Sequence, residues 1–204
     1  MNEKTKRYWL NENKSRYHKG DERLKHDIAF VNQYIAPDSV VLDLCCGEGH
    51  MAKEMSVKAR LVYAVDINGQ FLEQMSGLAN VVTVKSDATE FFCDQKFDLV
   101  TIFGAIQYNM GDDVRRIYTN CYGMLKTGAC LLVSGQWGIE DTVLVDRFSE
   151  ELQKQYYAEY RTLDSECSLL EEIGFQTELH KILPDSFDRF DNTKFMCIAA
   201  HKET

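Results

Sequence analysis

Hydrophobic positions along the chain gather into short runs rich in Val, Ile and Leu that alternate with segments of helical period. Strands buried on both faces read as continuous apolar runs, so this alternation predicts a parallel sheet flanked by helices. Seven runs qualify as strands: residues 40–45, 61–66, 81–86, 97–103, 129–135, 177–183 and 194–201. Helices are predicted over residues 50–57, 68–77, 112–125 and 164–173, the third opened by Gly111-Asp112-Asp113 as a start signal. Residues 5–35 predict one or two further helices, and residues 139–163 a helical insertion. Only the loop Pro184-Asp-Ser-Phe-Asp-Arg-Phe-Asp-Asn192 separates the last two strands, so that pair is expected to be an antiparallel hairpin. The expected fold class is α/β, with one mostly parallel seven-stranded sheet.

Composition narrows the function. A chain of 204 residues is enough for one sizeable core, and a single domain over residues 1–204 is expected. Lys and Arg number 23 against 32 Asp and Glu, a net charge of -9, which argues against a nucleic-acid partner because such a partner needs a dense basic footprint. No apolar run approaches bilayer-spanning length and the charged start leads into no signal-like stretch, so a soluble, cytoplasmic protein without a membrane partner is expected. The seven cysteines include no CxxC pair and read as reduced thiols rather than a disulfide framework. No His/Cys cluster has the spacing of a zinc site, and no metal is predicted. Residues 1–26 carry a local net charge of +4 and leave -13 for the rest, which suits either a solvated face or attraction of an anionic acceptor.

The segment Val40-Val-Leu-Asp-Leu-Cys-Cys-Gly-Glu-Gly-His-Met-Ala52 carries the chemistry. An apolar strand runs into Gly47-x-Gly49 and then a helical stretch, a loop where the backbone can turn sharply and a ligand can approach closely. The next strand ends in Ala64-Val-Asp66, with a carboxylate 17 residues after Gly49 that can accept hydrogen bonds from ribose hydroxyls. Together these predict an adenosine-type cofactor. The same spacing fits a dinucleotide fingerprint, and Tyr122-Gly-Met-Leu-Lys126 has the Tyr-x-x-x-Lys spacing of some hydride-transfer enzymes. An NAD-dependent oxidoreductase is therefore the alternative. Its weakness is position, since Tyr122 and Lys126 close a helix, run into Thr127-Gly128 and have no serine upstream.

Asp43 lies inside the first strand, where a buried carboxylate needs a partner. Here the chain resembles the class I S-adenosylmethionine-dependent methyltransferases, whose first motif looks like Leu42-Asp-Leu-Cys-Cys-Gly-Glu-Gly49. The likeness continues through Ala64-Val-Asp66, Ser86-Asp-Ala88, Phe97-Asp-Leu-Val-Thr-Ile-Phe-Gly104 and Leu125-Lys-Thr-Gly-Ala-Cys-Leu-Leu132, and spans residues 38 to about 135. Cys45 and Cys46 replace the small or apolar residues of many members, and Thr127 a frequent proline. The resemblance implies a Rossmann-like fold with a helical N-terminal arm (residues 1–36), a cofactor-binding half (37–136) and an insertion with the C-terminal strands (137–204). S-adenosylmethionine would be the methyl donor and S-adenosylhomocysteine the product. Asp43 would lie near the methionine ammonium, with Cys45 and the Gly47 to Gly49 backbone beside the methionyl and ribose portions. Asp66 would hold the ribose, Ile67 would pack on adenine, Asp87 and Ala88 would meet the adenine edge, and Phe103, Gly104 and Ala105 would border the sulfonium.

Methyl transfer from a sulfonium needs alignment more than a base, although a hydroxyl acceptor gains from one. A small-molecule nitrogen or oxygen acceptor is expected, with a sugar, nucleotide-linked or phosphorylated metabolite suggested by analogy, in a monomer or homodimer. Acceptor contacts are sought in Gln107, Tyr108 and Asn109, in Gln136 and Trp137, and in the arm, where Tyr8 and Trp9 are candidate lid residues beside Arg16, Lys19 and Arg23. Tyr17, His18, His26 and Tyr108 are the candidate catalytic residues. His50 and the hairpin loop with Arg189 are weaker candidates for the site's border. A non-catalytic S-adenosylmethionine-binding regulator is a third reading, disfavoured by the polar acceptor loops.

Overall fold

The computed structural model of the protein describes residues 3–12, 21–150, 154–188 and 190–203. Helices α1 (Glu3–Leu10) and α2 (Glu22–Val31) precede β1 (Val40–Leu44), α3 (His50–Ser56), β2 (Leu61–Asp66), α4 (Gly69–Glu73), β3 (Val81–Lys85) and β4 (Phe97–Phe103). A 3-10 turn, Ile106–Tyr108, leads into α5 (Asp112–Met124) and the long β5 (Leu125–Gly138). The chain then forms β6 (Val143–Ser149), β7 (Lys154–Tyr160), α6 (Leu163–Ile173), β8 (Phe175–His180), a second 3-10 turn and β9 (Thr193–Lys202).

Seven strands form one sheet in the order β3-β2-β1-β4-β5-β9-β8. The first five neighbours pair in parallel, and β9 is antiparallel to both β5 and β8. Side chains alternate across the strands, so Leu42 and Leu44 enter the core under α5 and α6, while Val41 enters the core under α2 and α3. Asp43 shares Val41's side. After β3 the chain returns to the other side of β1, and this reversal opens a crevice at the C-terminal ends of β1 and β4, the place where such sheets bind ligands.

Residues 139–163, expected to be helical, instead form the separate antiparallel hairpin β6–β7. Val145, Tyr156, Ala158 and Tyr160 point inward and pack with Tyr108 and Trp9, a period-2 pattern of β-branched and aromatic residues that favours strands. Helix α4 stops at Glu73, short of the expected residue 77, and the segment after it turns through Gly77 at φ 91. Strand β5 starts four residues earlier and ends three later than expected, at Leu125 and Gly138, because Leu125 already pairs with Phe97 of β4 ahead of a bulge and the pairing with β9 continues to Gly138. Among the described residues no helix is long and apolar enough to cross a membrane.

Candidate active site

The loop after β1 is built on backbone conformations that few residues adopt. Cys45 has φ 64 and Gly47 φ 56, and the left-handed turn at a non-glycine residue carries a strain of about 1 kcal/mol or more. Gly49 follows at φ 72 and caps α3, and a Cβ there would meet Met75 Sδ at 2.0 Å. Conformation favours glycine at that position, and a larger residue would also have to displace the Met75 side chain.

Around this loop lies a cavity at the C-terminal strand ends. Asp43, Cys45, Gly47, Asp66, Ile67, Asp87, Ala88, Phe103, Gly104 and Ala105 all line it. Gly49 does not; it stands behind the wall and shapes the turn. Sequence reasoning missed Leu44, Met51 and Phe71, which complete the apolar lining. As apolar strand or helix residues they carry no signal that separates them from core.

Three carboxylates face this space in different states. Asp43 is 2% exposed, and its Oδ1 accepts from Thr101 Oγ1 at 2.9 Å, while Oδ2 is buried with no hydrogen-bond partner among the described residues. Burial pushes its pKa up to about 7, opposed by the Thr101 hydrogen bond and the more distant Ala52 N–H and helped by the charge of Asp66. Asp66 accepts from the N–H of Gly47 at 2.9 Å and of Asn68 at 2.8 Å. Burial still raises it, although those N–H groups pull the other way. Asp87 also feels burial, but the N–H and hydroxyl of Thr89 and the ammonium of Lys6 outweigh it and hold the carboxyl below the usual range. Lys6 Nζ lies 3.1 Å from its Oδ2.

Helix α1 closes one side. Trp9 lines the cavity, packs edge-on against Tyr108 at 5.0 Å, and its carbonyl accepts from Asn68 Nδ2 at 2.9 Å. Trp9 and Tyr108 also line a second cavity, whose other walls are Thr5, Arg7 and Tyr8 of α1 and Asp146, Gln155, Tyr156 and Tyr157 of the hairpin. The hydroxyls of Tyr108 and Tyr156 are 3.5 Å apart, and those of Tyr156 and Tyr160 are 2.8 Å apart. The turn that carries Tyr108 is anchored by Arg161, which donates to the carbonyl of Asn109 at 2.9 Å and grips the buried Glu166 through two nitrogens.

The other candidates fall elsewhere. Gln107, Asn109, Gln136 and Trp137 are buried outside both cavity walls, and their side-chain nitrogens are engaged by Gly104, Ala105, Thr193 and Met196 respectively. His26 is exposed on α2, its ring 6.2 Å from that of Phe187, and lines neither cavity. Helix α2 packs through Leu24, Ile28 and Val31, which turns His26 outward. His50 also lies off the walls, its Nε2 3.7 Å from Glu48. Arg16, Tyr17, His18, Lys19 and Arg189 lie outside the described residues. Among the described residues no group of His, Cys, Asp and Glu could hold a metal ion.

The Tyr122 and Lys126 pair of the oxidoreductase alternative is far from this chemistry. Lys126 is bound to Asp98 at 2.7 Å, at the N-terminal end of β4, and Tyr122 is covered by Lys202 and Phe175. That pair belongs to the opposite end of the sheet.

The strand order and the crevice at its reversal are those of an α/β, Rossmann-like methyltransferase fold. Residues 41–128 match the family described as a methyltransferase domain, and the fold is consistent with that of the class I S-adenosylmethionine-dependent methyltransferases. Among solved structures it is similar to the 1,6-didemethyltoxoflavin-N1-methyltransferase of Burkholderia thailandensis, with 16% identity and a TM-score of 0.73 over 91% of this chain and 80% of that one. An S-adenosylmethionine-dependent methyltransferase of Clostridium acetobutylicum aligns with 15% identity and a TM-score of 0.67 over 90% and 93%. DhpI in complex with SAH aligns with 16% identity and a TM-score of 0.67 over 88% and 84%. At such identities these likenesses establish the fold. No curated protein matches the chain.

Proposed function

We propose that this methyltransferase modifies a nitrogen or oxygen of a small molecule held in the second cavity, and that Trp9 and Tyr108 form the boundary across which the methyl passes. The observation that carries this reading is the shared wall: the same two aromatic residues line both cavities. S-adenosylmethionine, when bound, supplies a methyl group on an already cationic sulfur. In this reading Asp43 receives the methionyl ammonium, for which its buried, unpartnered Oδ2 is suited, since an unmade bond there is costly. Each oxygen of Asp66 already accepts one backbone N–H but keeps a further acceptor site for a ribose hydroxyl. Gly47 and Cys45 offer backbone beside the methionyl and ribose portions. Ile67 packs on the adenine face, Ala88 lines its edge, and Asp87 shares its Oδ2 between Lys6 and the exocyclic amine. Phe103, Gly104 and Ala105 border the sulfonium.

On the acceptor side the walls are rich in aromatic rings, which suits a planar ring system stacked against them. Exposed Arg7 at the same cavity suits a phosphate or carboxylate on that acceptor. Both features favour a nucleotide-linked or phosphorylated aromatic acceptor. Tyr108 is the candidate catalytic residue that the geometry favours, as an orienting hydroxyl linked to that of Tyr156. Calorimetric titration with S-adenosylhomocysteine, with NAD(H) as control, tests the cofactor half; binding of NAD(H) alone would overturn it. An acceptor screen in which transfer is followed by S-adenosylhomocysteine release tests the rest. Turnover on small aromatic acceptors is expected, lost by roughly a hundred-fold in Tyr108→Phe with cofactor affinity unchanged. Turnover confined to RNA or protein would refute the acceptor class.

A further inference from the structure

Asn68 is a buried side chain with every polar atom committed, and its commitments join the two cavities. It is 2% exposed and follows Ile67 at the tip of β2. Its backbone N–H donates to Asp66 Oδ1 at 2.8 Å, and its side-chain oxygen accepts from the N–H of Gln70 at 3.0 Å, capping α4. Its side-chain nitrogen donates to the carbonyls of Trp9 and of Glu12, both at 2.9 Å. Those two acceptors lie at the end of α1 and just beyond it, 59 and 56 residues away in sequence. A helix's last carbonyls lack partners within the helix, and here a residue of the cofactor cleft supplies them. Lys6 on Asp87 is a further polar tie between α1 and the cleft.

We propose that Asn68 is a positioning residue that holds the Trp9 wall against the cofactor cleft, so that cofactor binding and assembly of the acceptor pocket are coupled through it. This rests on the reading of the two cavities given above. Asn68 acts on the ligand through others: Asp66 on one side and Trp9 on the other. Whatever steadies Asp66 steadies the backbone of Asn68, and with it the amide that carries the arm. Coupling of this kind is reciprocal, so a docked arm must retain the cofactor more tightly by the same factor.

The substitution Asn68→Ser separates the functions. Serine still caps α4 through its hydroxyl, and the backbone N–H to Asp66 remains, but the donors to Trp9 and Glu12 are lost. Trp9 and Trp137 are the two tryptophans, and Trp137 is 1% exposed, so Trp9→Phe isolates the Trp137 signal and the difference from wild type reports Trp9. In the full chain, titrated with S-adenosylhomocysteine, wild type is expected to bind with a change in Trp9 emission that Trp9→Phe lacks. In Asn68→Ser the ligand-free Trp9 emission is expected to shift to the red, and affinity for S-adenosylhomocysteine to fall about ten-fold as two hydrogen bonds are lost. Asn68→Asp keeps the cap and shape without the donors, and gives the same red shift should Ser perturb folding. Unchanged Trp9 emission with wild-type affinity in either folded variant would overturn the proposal. Wild-type protein that binds no S-adenosylhomocysteine would overturn the cofactor reading and this proposal together, whereas normal binding with an indifferent Asn68 removes this proposal alone.

Discussion

Asp98 and Asp43 occupy opposite ends of the same parallel sheet, and the contrast between them separates a carboxylate that holds the fold from one left available to a ligand. At the N-terminal end, Asp98 is fully engaged: Oδ2 accepts from the N–H of Val40 at 2.8 Å and Oδ1 from Lys126 at 2.7 Å. Burial would raise its pKa, but the Lys126 hydrogen bond and the Val40 N–H prevail and hold it below the usual range. At the C-terminal end, Asp43 has the Thr101 hydroxyl on Oδ1, an Oδ2 with no hydrogen-bond partner among the described residues, and a pKa pushed up to about 7 by burial. The Asp98 charge is already balanced by the Lys126 ammonium beside it and serves the fold. A buried charge with an unmade bond favours a cationic group arriving from outside.

The comparison breaks most decisively at Asp66. Replacing it with Ala should weaken S-adenosylhomocysteine binding by about ten- to a hundred-fold in calorimetry, through lost ribose bonds and an orphaned Gly47 N–H. The same affinity in the folded variant would remove Asp66 from the site. Next is the pH dependence of Asp43. Its folded pKa lies above the ordinary 3.8, so the protonated form is favoured in the folded state. Its contribution to stability is therefore present at low pH and lost as pH rises toward about 7. An ammonium seated there would expel the proton, so binding should strengthen with pH by up to about ten-fold per unit below pH 7. Binding heats should then depend on the buffer's ionisation enthalpy, and Asp43→Asn should abolish that dependence.

Smaller effects belong to the other end of the sheet. Asp98→Ala leaves the Val40 N–H unpaired and should cost about 1–3 kcal/mol in denaturant unfolding at neutral pH, with cofactor affinity of the folded protein unchanged. Because the folded pKa of Asp98 is depressed, this loss should shrink as pH falls below the carboxylate range, the reverse of Asp43's behaviour. Lys126→Ala removes only a partly exposed ion pair and should cost at most about 1 kcal/mol. A large loss of cofactor binding in Lys126→Ala would revive the oxidoreductase alternative.

The difference between regions also explains what the sequence made legible. Strands β1, β2 and β4 are buried nearly throughout, so they read as apolar runs in which Asp43 of β1 and Asp66 at the tip of β2 stand out, while Asp87 follows the more exposed β3. The β6–β7 hairpin hid its period. Leu144 and Phe148 are exposed on its outer face while Val145 and Tyr156 are buried, so apolar residues occur on both faces and the acidic and basic residues between them suggested a helix. Trp9 was legible as a candidate lid, but its partner Asn68 was not, because their contact depends on how distant segments pack. His26 misled for the opposite reason: titratable chemistry is visible in a sequence, whereas the direction a helix turns it is not.

The strained loop has one more consequence. It carries two adjacent thiols, Cys45 and Cys46, on the wall of the cavity proposed to hold the cofactor, and a sulfonium methyl is an electrophile that a thiolate would attack. Burial foremost, followed for Cys45 by Asp66, Asp87 and Asp43 and for Cys46 by Asp43 and Asp66, pushes both thiols well above their ordinary range. The thiol, unlike the thiolate, is a poor nucleophile. Burial, with the neighbouring carboxylates adding to it, thus keeps both thiols protonated, and that protonation makes both cysteines slow targets for iodoacetamide at neutral pH.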